Sequence, residues 1–175
     1  MAPRRLVLIV IALERFRDEE LAEPKRALEA AGHTVTVSST RPGVATGMLG
    51  AKVSVAASVA LLEARDVDAL IIAGGAGAPR HLWDDEPLRA LVRATHAAGK
   101  PIGAICLAPP VLARAGVLSG KRATTFPDPR AVIELKRGGA IFVDEPVVPD
   151  GTIVTGNGPE AAAAFGAALV QLVSV

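Results

Sequence analysis

Cys106 is the one thiol in this chain of 175 residues, and His33, His81 and His96 are its three imidazoles. These side chains are the ones best suited to nucleophilic and proton-transfer chemistry near neutral pH. Cys106 sits in Gly103-Ala104-Ile105-Cys106-Leu107, where an apolar run gives way to a segment with helical character. In an open parallel sheet, sites form where strand C-termini meet helix N-termini. A residue in a tight strand-to-helix turn projects its side chain out of the sheet, the geometry that exposes the nucleophile in other α/β enzymes. A helix N-terminus favours a thiolate by roughly 0.3–2 kcal/mol, enough to leave the sulfur only partly ionised at neutral pH. The competing reading is an inert core thiol, because free Cys is among the most buried residue types.

Two further segments converge with Cys106 on one sheet edge by topology. Gly74-Gly75 ends a second apolar run, and an acidic cluster, Asp18-Glu19-Glu20, follows the first. Glycine at 75 lets backbone come close, although the pair alone also reads as a strand-terminating turn. His33 falls at a helix-to-strand turn and His96 in mid-helix, so both read as structural or solvated. His81, beside Trp83 after the glycine loop, is the histidine placed to take a role in proton transfer. His and Cys are too few and too separated to suggest a metal site.

The elements that must position these residues follow from periodicity. Arg4 to Ala12 is a continuous β-branched and leucine run, the pattern of a strand covered on both faces. Asp18 can cap a helix running through Leu28 to a stop at Gly32, with Pro24 early in it. Thr34–Ser39 and a shorter Ala51–Ala56 read as strands, and Ser58 caps a short helix. Ala69–Ala73 is a second buried strand. Asp84–Ala98, with Pro87 in its first turn, is a helix; Pro101–Ile105 is a buried strand; Leu107–Ala115 is a helix ended by Gly116. A helix over Pro129–Arg137, a hairpin over Val143–Thr155 turning at Asp150-Gly151, and a helix over Pro159–Val173 complete the pattern. Buried strands alternating with amphipathic helices predict one α/β domain over residues 1–175, a flavodoxin-like three-layer sandwich. Its sheet is mostly parallel with helices on both faces, and a short β-hairpin lies near the C-terminus.

Composition narrows the function. Lys and Arg number 19 against 18 Asp and Glu, and the basic residues are scattered, which argues against a nucleic-acid surface. Four Phe, one Trp and no Tyr provide little for stacking on bases. Leu6–Leu13 is far too short to span a bilayer. A lone Cys cannot form an internal disulfide, so a reducing, cytoplasmic setting is expected.

Taken together, Ala73-Gly74-Gly75 and Gly99-Lys100-Pro101-Ile102-Gly103-Ala104-Ile105-Cys106 with Pro109 resemble the signature of the ThiJ/PfpI superfamily. Phe16-Arg17-Asp18-Glu19-Glu20 before Pro24, Ala31-Gly32-His33-Thr34-Val35, and Asp144 to Thr155 are similar to segments of its PfpI branch, so the likeness spans nearly the whole chain. The resemblance implies a cysteine elbow at Cys106 and a glutamic acid from the first helix, Glu20, with Glu19 as its rival. It also implies an oxyanion site of backbone amides at Gly75 and Leu107, with Gly74 beside them. An ionised carboxylate beside the sulfur would oppose the thiolate, so Glu20 would have to be protonated or share its proton.

The sequence departs from that branch at three places: Leu107 stands where a His usually follows the Cys, Arg80 where a Glu follows the Pro, and Phe126 where a His or Tyr precedes Pro127. His81, Arg80 and Phe126 are therefore accessory candidates only. With no evident base beside the sulfur, a peptidase is disfavoured. The expected activity is glutathione-independent, cysteine-dependent chemistry on small reactive carbonyls, glyoxalase- or deglycase-like, in stress protection. A redox-sensing role for Cys106 and a PfpI-type peptidase or amidase are the alternatives. No cofactor is expected. The resemblance further implies a small-molecule substrate and a homodimer or higher assembly, with neither nucleic acid nor membrane as partner.

Overall fold

The computed structural model describes residues 2–175. Its centre is a six-stranded sheet in the order β10-β11-β7-β6-β1-β3, with β1 Leu6–Val10, β3 Thr34–Ser38, β6 Ala69–Ile72, β7 Ile102–Ile105, β10 Val147–Asp150 and β11 Ile153–Gly156. Every pairing is parallel except β10 with β11, the hairpin read from Asp150-Gly151. The continuous apolar runs are central because both faces are covered. In β1, Leu8 and Val10 face one core with Leu88, Leu91, Val111 and Leu135, while Val7 and Ile9 face another with Leu28, Phe165 and Leu169. Helices α1 (Asp18–Ala30) and α6 (Ala162–Val173) thus cover one face, and α3 (Glu86–Ala97), α4 (Pro109–Ala115) and α5 (Pro129–Arg137) the other. This is the flavodoxin-like sandwich.

Three features differ from the sequence reading. First, Asp18 does not cap α1: the cap position is Arg17, with no side-chain bond, and the Asp18 carboxylate instead accepts from Leu49 N (2.8 Å) and Ala51 N (2.9 Å). It braces a turn that sequence distance hides. Second, the strand foreseen near Ala51–Ala56 is β5 (Lys52–Val55), and it joins β2 (Glu14–Phe16) and β4 (Gly43–Gly47) in a separate three-stranded sheet beside the main one. Third, α4 begins at Pro109 rather than Leu107, because Cys106 to Ala108 form the turn itself. Ser58 does cap a short helix, accepting from Ala60 N at 3.2 Å. A short α2 (Ala78–His81) and a two-stranded β8–β9 pair (Arg122–Ala123, Ile141–Phe142) complete the fold.

Candidate active site

The turn from β7 into α4 holds Cys106 at φ +63°, a left-handed conformation that an L side chain adopts at a cost of order 1–3 kcal/mol. Four hydrogen bonds hold it there. Cys106 N donates to Gly156 O (2.9 Å), and Cys106 O accepts from Phe126 N (2.9 Å) and Thr125 Oγ1 (2.7 Å). One residue on, Leu107 O accepts from the indole of Trp83 (2.6 Å), whose ring is covered by the Arg114 guanidinium at 5.2 Å. The strain is therefore over-determined by β11, the 124–126 segment and Trp83, and the side chain is aimed rather than merely located.

Glu20, on the first turn of α1, reaches the Cys106 thiol. It is fully buried, and its Oε2 accepts from Gly74 N at 2.9 Å. Oε1 is equally buried and completes no hydrogen bond, and the carboxyl as a whole interacts with the Cys106 thiol. Gly74 makes this approach feasible. A Cβ there would lie 2.7 Å from Cys106 Cβ and 2.8 Å from Glu20 Oε2, so any side chain would occupy the place where the two groups meet. Gly75 is constrained further, with φ +111° and a Cβ direction running into the backbone of Arg15, Phe16 and Arg17. Such contact leaves its N–H free to face the sulfur.

Burial is the largest influence on both acids. It lifts the Glu20 carboxyl from 4.5 to about 7, against the Cys106 and Gly74 hydrogen bonds that favour its anion. It also drives the Cys106 thiol well above its ordinary value, helped by the nearby carboxylate and opposed by the N–H groups of Gly75 and Leu107. The expected lowering by a helix N-terminus does not prevail: α4 starts three residues beyond the sulfur and desolvation outweighs it. The two groups influence each other's titration: the Glu20 anion opposes the thiolate, and burial opposes it more.

The other sequence candidates sort by position. The amides of Gly75 and Leu107 face the sulfur. The Gly74 amide does not, because Glu20 occupies it. Glu19, the rival acid, is turned away and bound through two oxygens to Arg17 (2.7 and 3.0 Å). His81 lies 3.8 Å from exposed Glu14 and outside the pocket, and Arg80 is exposed and also outside it. His33 is a buried anchor, accepting from Arg5 N and joined to Ser174 Oγ. Phe126 does line the site. A cavity of about 190 Å³ opens above Cys106 and Gly75, walled by Arg17, Met48, Ala76, Leu107, Phe126 and Pro159. Met48, Thr125 and Pro159 were not among the site candidates: Met48 comes from the turn after β4, Thr125 from the residue before Phe126, and Pro159 from the 3-10 turn that leads into α6. Among the described residues no three His, Cys, Asp or Glu side chains converge as a metal site requires. Nor is any described helix long and apolar enough to cross a membrane.

A doubly wound sheet with a strained cysteine at the strand-to-helix turn, a buried glutamic acid beside it and two convergent amides defines a flavodoxin-like protein of the cysteine-elbow type. The chain belongs to the DJ-1/PfpI family, whose profile matches residues 5–172. It is 44% identical over 167 residues to an uncharacterised protein of Methanocaldococcus jannaschii, covering 95% of this chain and 82% of that one. It is 32% identical over 152 residues to a protein of Pyrococcus furiosus named deglycase PfpI, covering 87% and 90%. Among solved structures, a ThiJ/PfpI domain protein from Brachyspira murdochii superposes with a TM-score of 0.90 at 31% identity, covering 96% of this chain and 95% of that one.

Proposed function

We propose that the protein is an enzyme that uses Cys106 and Glu20 to transform small α-oxoaldehydes, such as methylglyoxal, without glutathione. The observation that carries this is the buried carboxyl of Glu20, raised to about 7 and facing a sulfur that two amides also face. A group poised there can both take and return a proton at working pH. In the first step Sγ adds to the aldehyde carbon while its proton passes to Glu20. The carbonyl π pair moves to oxygen, where the N–H groups of Gly75 and Leu107 offset the developing charge, and Glu20 returns the proton to give a hemithioacetal. Glu20 then removes the proton from the same carbon. The freed electron pair forms an enediol, and protonation at the neighbouring carbon leaves a thioester. The aldehyde carbon is thereby oxidised and the ketone carbon reduced, with no external reductant. Water cleaves the thioester, releasing a 2-hydroxy acid and restoring the thiol.

The small cavity favours such substrates over a peptide, and no histidine lines it to protonate the leaving amine of an amide. A second reading has Cys106 as a peroxide sensor, favoured by the same ring of donors, which could hold a sulfinate as readily as an oxyanion. The carbonyl reading leads because the proton position of Glu20 serves every step of it. The test is lactate formation from methylglyoxal by purified protein in glutathione-free buffer. Wild type is expected to turn over, with Cys106→Ser reduced by ~10³-fold or more. Unchanged turnover in that variant, or none above buffer in wild type, overturns the assignment.

A further inference from the structure

Above the sulfur, the wall of the pocket is almost wholly apolar. Met48, Ala76, Leu107, Phe126 and Pro159 supply it. The one polar atom among these side chains, the Met48 sulfur, already accepts from Ala76 N at 3.3 Å. Arg17 is the single charged side chain at the rim, and its guanidinium is held through two nitrogens by Glu19, so its charge is already compensated. Arg17 therefore offers an anionic substrate no uncompensated charge, and the donors left to it are the amides of Gly75 and Leu107. A flat apolar group finds a wall: the Phe126 ring is 40% exposed and lies against Gly158, where a Cβ would approach its Cδ2 to 3.2 Å. Its root is fixed relative to the nucleophile, because Phe126 N donates to Cys106 O.

From this we infer that the site selects carbonyl compounds bearing an aromatic or bulky apolar substituent, with Phe126 as the specificity-determining residue. The inference rests on the carbonyl reading above for its substrate class, and on the pocket alone for its selectivity. An aryl group removed from water against Phe126, Leu107 and Pro159 gains apolar burial that methyl or hydrogen cannot match, and aromatic stacking adds to it.

The experiment has two arms on the same proteins. In the first, kcat/KM is measured for phenylglyoxal, methylglyoxal and glyoxylate with wild type, Phe126→Ala and Phe126→Tyr. Wild type and Phe126→Tyr should prefer phenylglyoxal over methylglyoxal by at least about tenfold and use glyoxylate least. Phe126→Ala should lose most of that preference, its kcat/KM for phenylglyoxal falling further than that for methylglyoxal. In the second arm, Cys106 is alkylated with N-benzyl iodoacetamide and with iodoacetamide, each rate normalised to that of free cysteine. The benzyl reagent should be favoured several-fold in wild type and Phe126→Tyr and not in Phe126→Ala. Because Phe126 is partly exposed, its truncation leaves the core intact, and a thermal melt checks this. A benzyl preference without dicarbonyl turnover supports the selectivity and sinks the carbonyl reading. Turnover with neither an aryl nor a benzyl preference, or preferences unmoved by Phe126→Ala, overturns the selectivity and leaves the carbonyl reading standing.

Discussion

Polar and charged side chains gather at both edges of the main sheet, and the two edges treat them differently. At the edge where the parallel strands begin, Lys100 Nζ donates to Ala64 O (2.7 Å) and Val67 O (2.6 Å), Asp68 accepts from Leu6 N (2.8 Å), and Arg5 donates to Val175 O. Each charge there closes off a loop or a chain end. A cavity of about 340 Å³ lies among these residues, larger than the one above Cys106. At the edge where the strands end, Glu20 Oε1 is buried without a conventional partner, and Cys106 and Arg15 hold positive φ. Unmet bonding capacity and stored strain gather at the proposed site, and the larger hollow lies at the other edge.

The sharpest way to break that contrast is to give each edge the same extra methyl group. Gly75→Ala at the site edge forces a Cβ into the backbone of residues 15–17, and is expected to cost about 3 kcal/mol or more in urea denaturation and to abolish turnover. Gly99→Ala at the other edge also sits at positive φ (+69°), but no atom lies within 4 Å of its Cβ; about 1–2 kcal/mol and full activity are expected. Equal penalties for the two would erase the distinction.

Next in size is the acid. A carboxyl raised from 4.5 to about 7 in the folded state binds a proton that the unfolded chain has released, so its contribution to stability is fully present at low pH and is lost as pH rises through that window. Relative to Glu20→Gln, wild type is expected to lose up to roughly 3 kcal/mol between pH 4.5 and 7, and no more above it. Denaturation midpoints of both proteins across pH 4–8 check this, and a parallel pair of curves would refute it. The smallest effect belongs to the opposite edge: Lys100→Met should cost about 1–2 kcal/mol, by stranding two carbonyls, while kcat/KM stays unchanged. Lost activity there would mean that the edges are coupled.

Much of the frame was legible before the structure. The runs that became β1, β6 and β7 are apolar on both faces, which is what a doubly covered strand requires, and α5 spans Pro129–Arg137 as expected, with Asp128 capping it in the structure. Short edge pieces were not legible. β2 and β4 are three and five residues long, with exposed positions and glycines that carry little periodicity. At the site, position alone singled out Cys106, with an inert core thiol as the competing reading, and the resemblance supplied Glu20. The assignment of amides depended on which N–H each acid takes, and no spacing rule shows that Gly74 serves Glu20 while Gly75 faces the sulfur. The same holds for Asp18, a plausible cap by position, whose carboxylate is drawn instead to amides more than thirty residues away.

Cys106 is gripped by Gly156 through its amide and by Thr125 and Phe126 through its carbonyl, and all three follow it in the chain. During synthesis the thiol therefore leaves the ribosome well before the parts that hold it in its left-handed turn. Until β11 docks beside β7, the cysteine is an ordinary one, relaxed and without its full set of anchors. The posture of the sulfur is thus set by completion of the domain, and a chain that stops short of Thr125 carries the cysteine without these anchors.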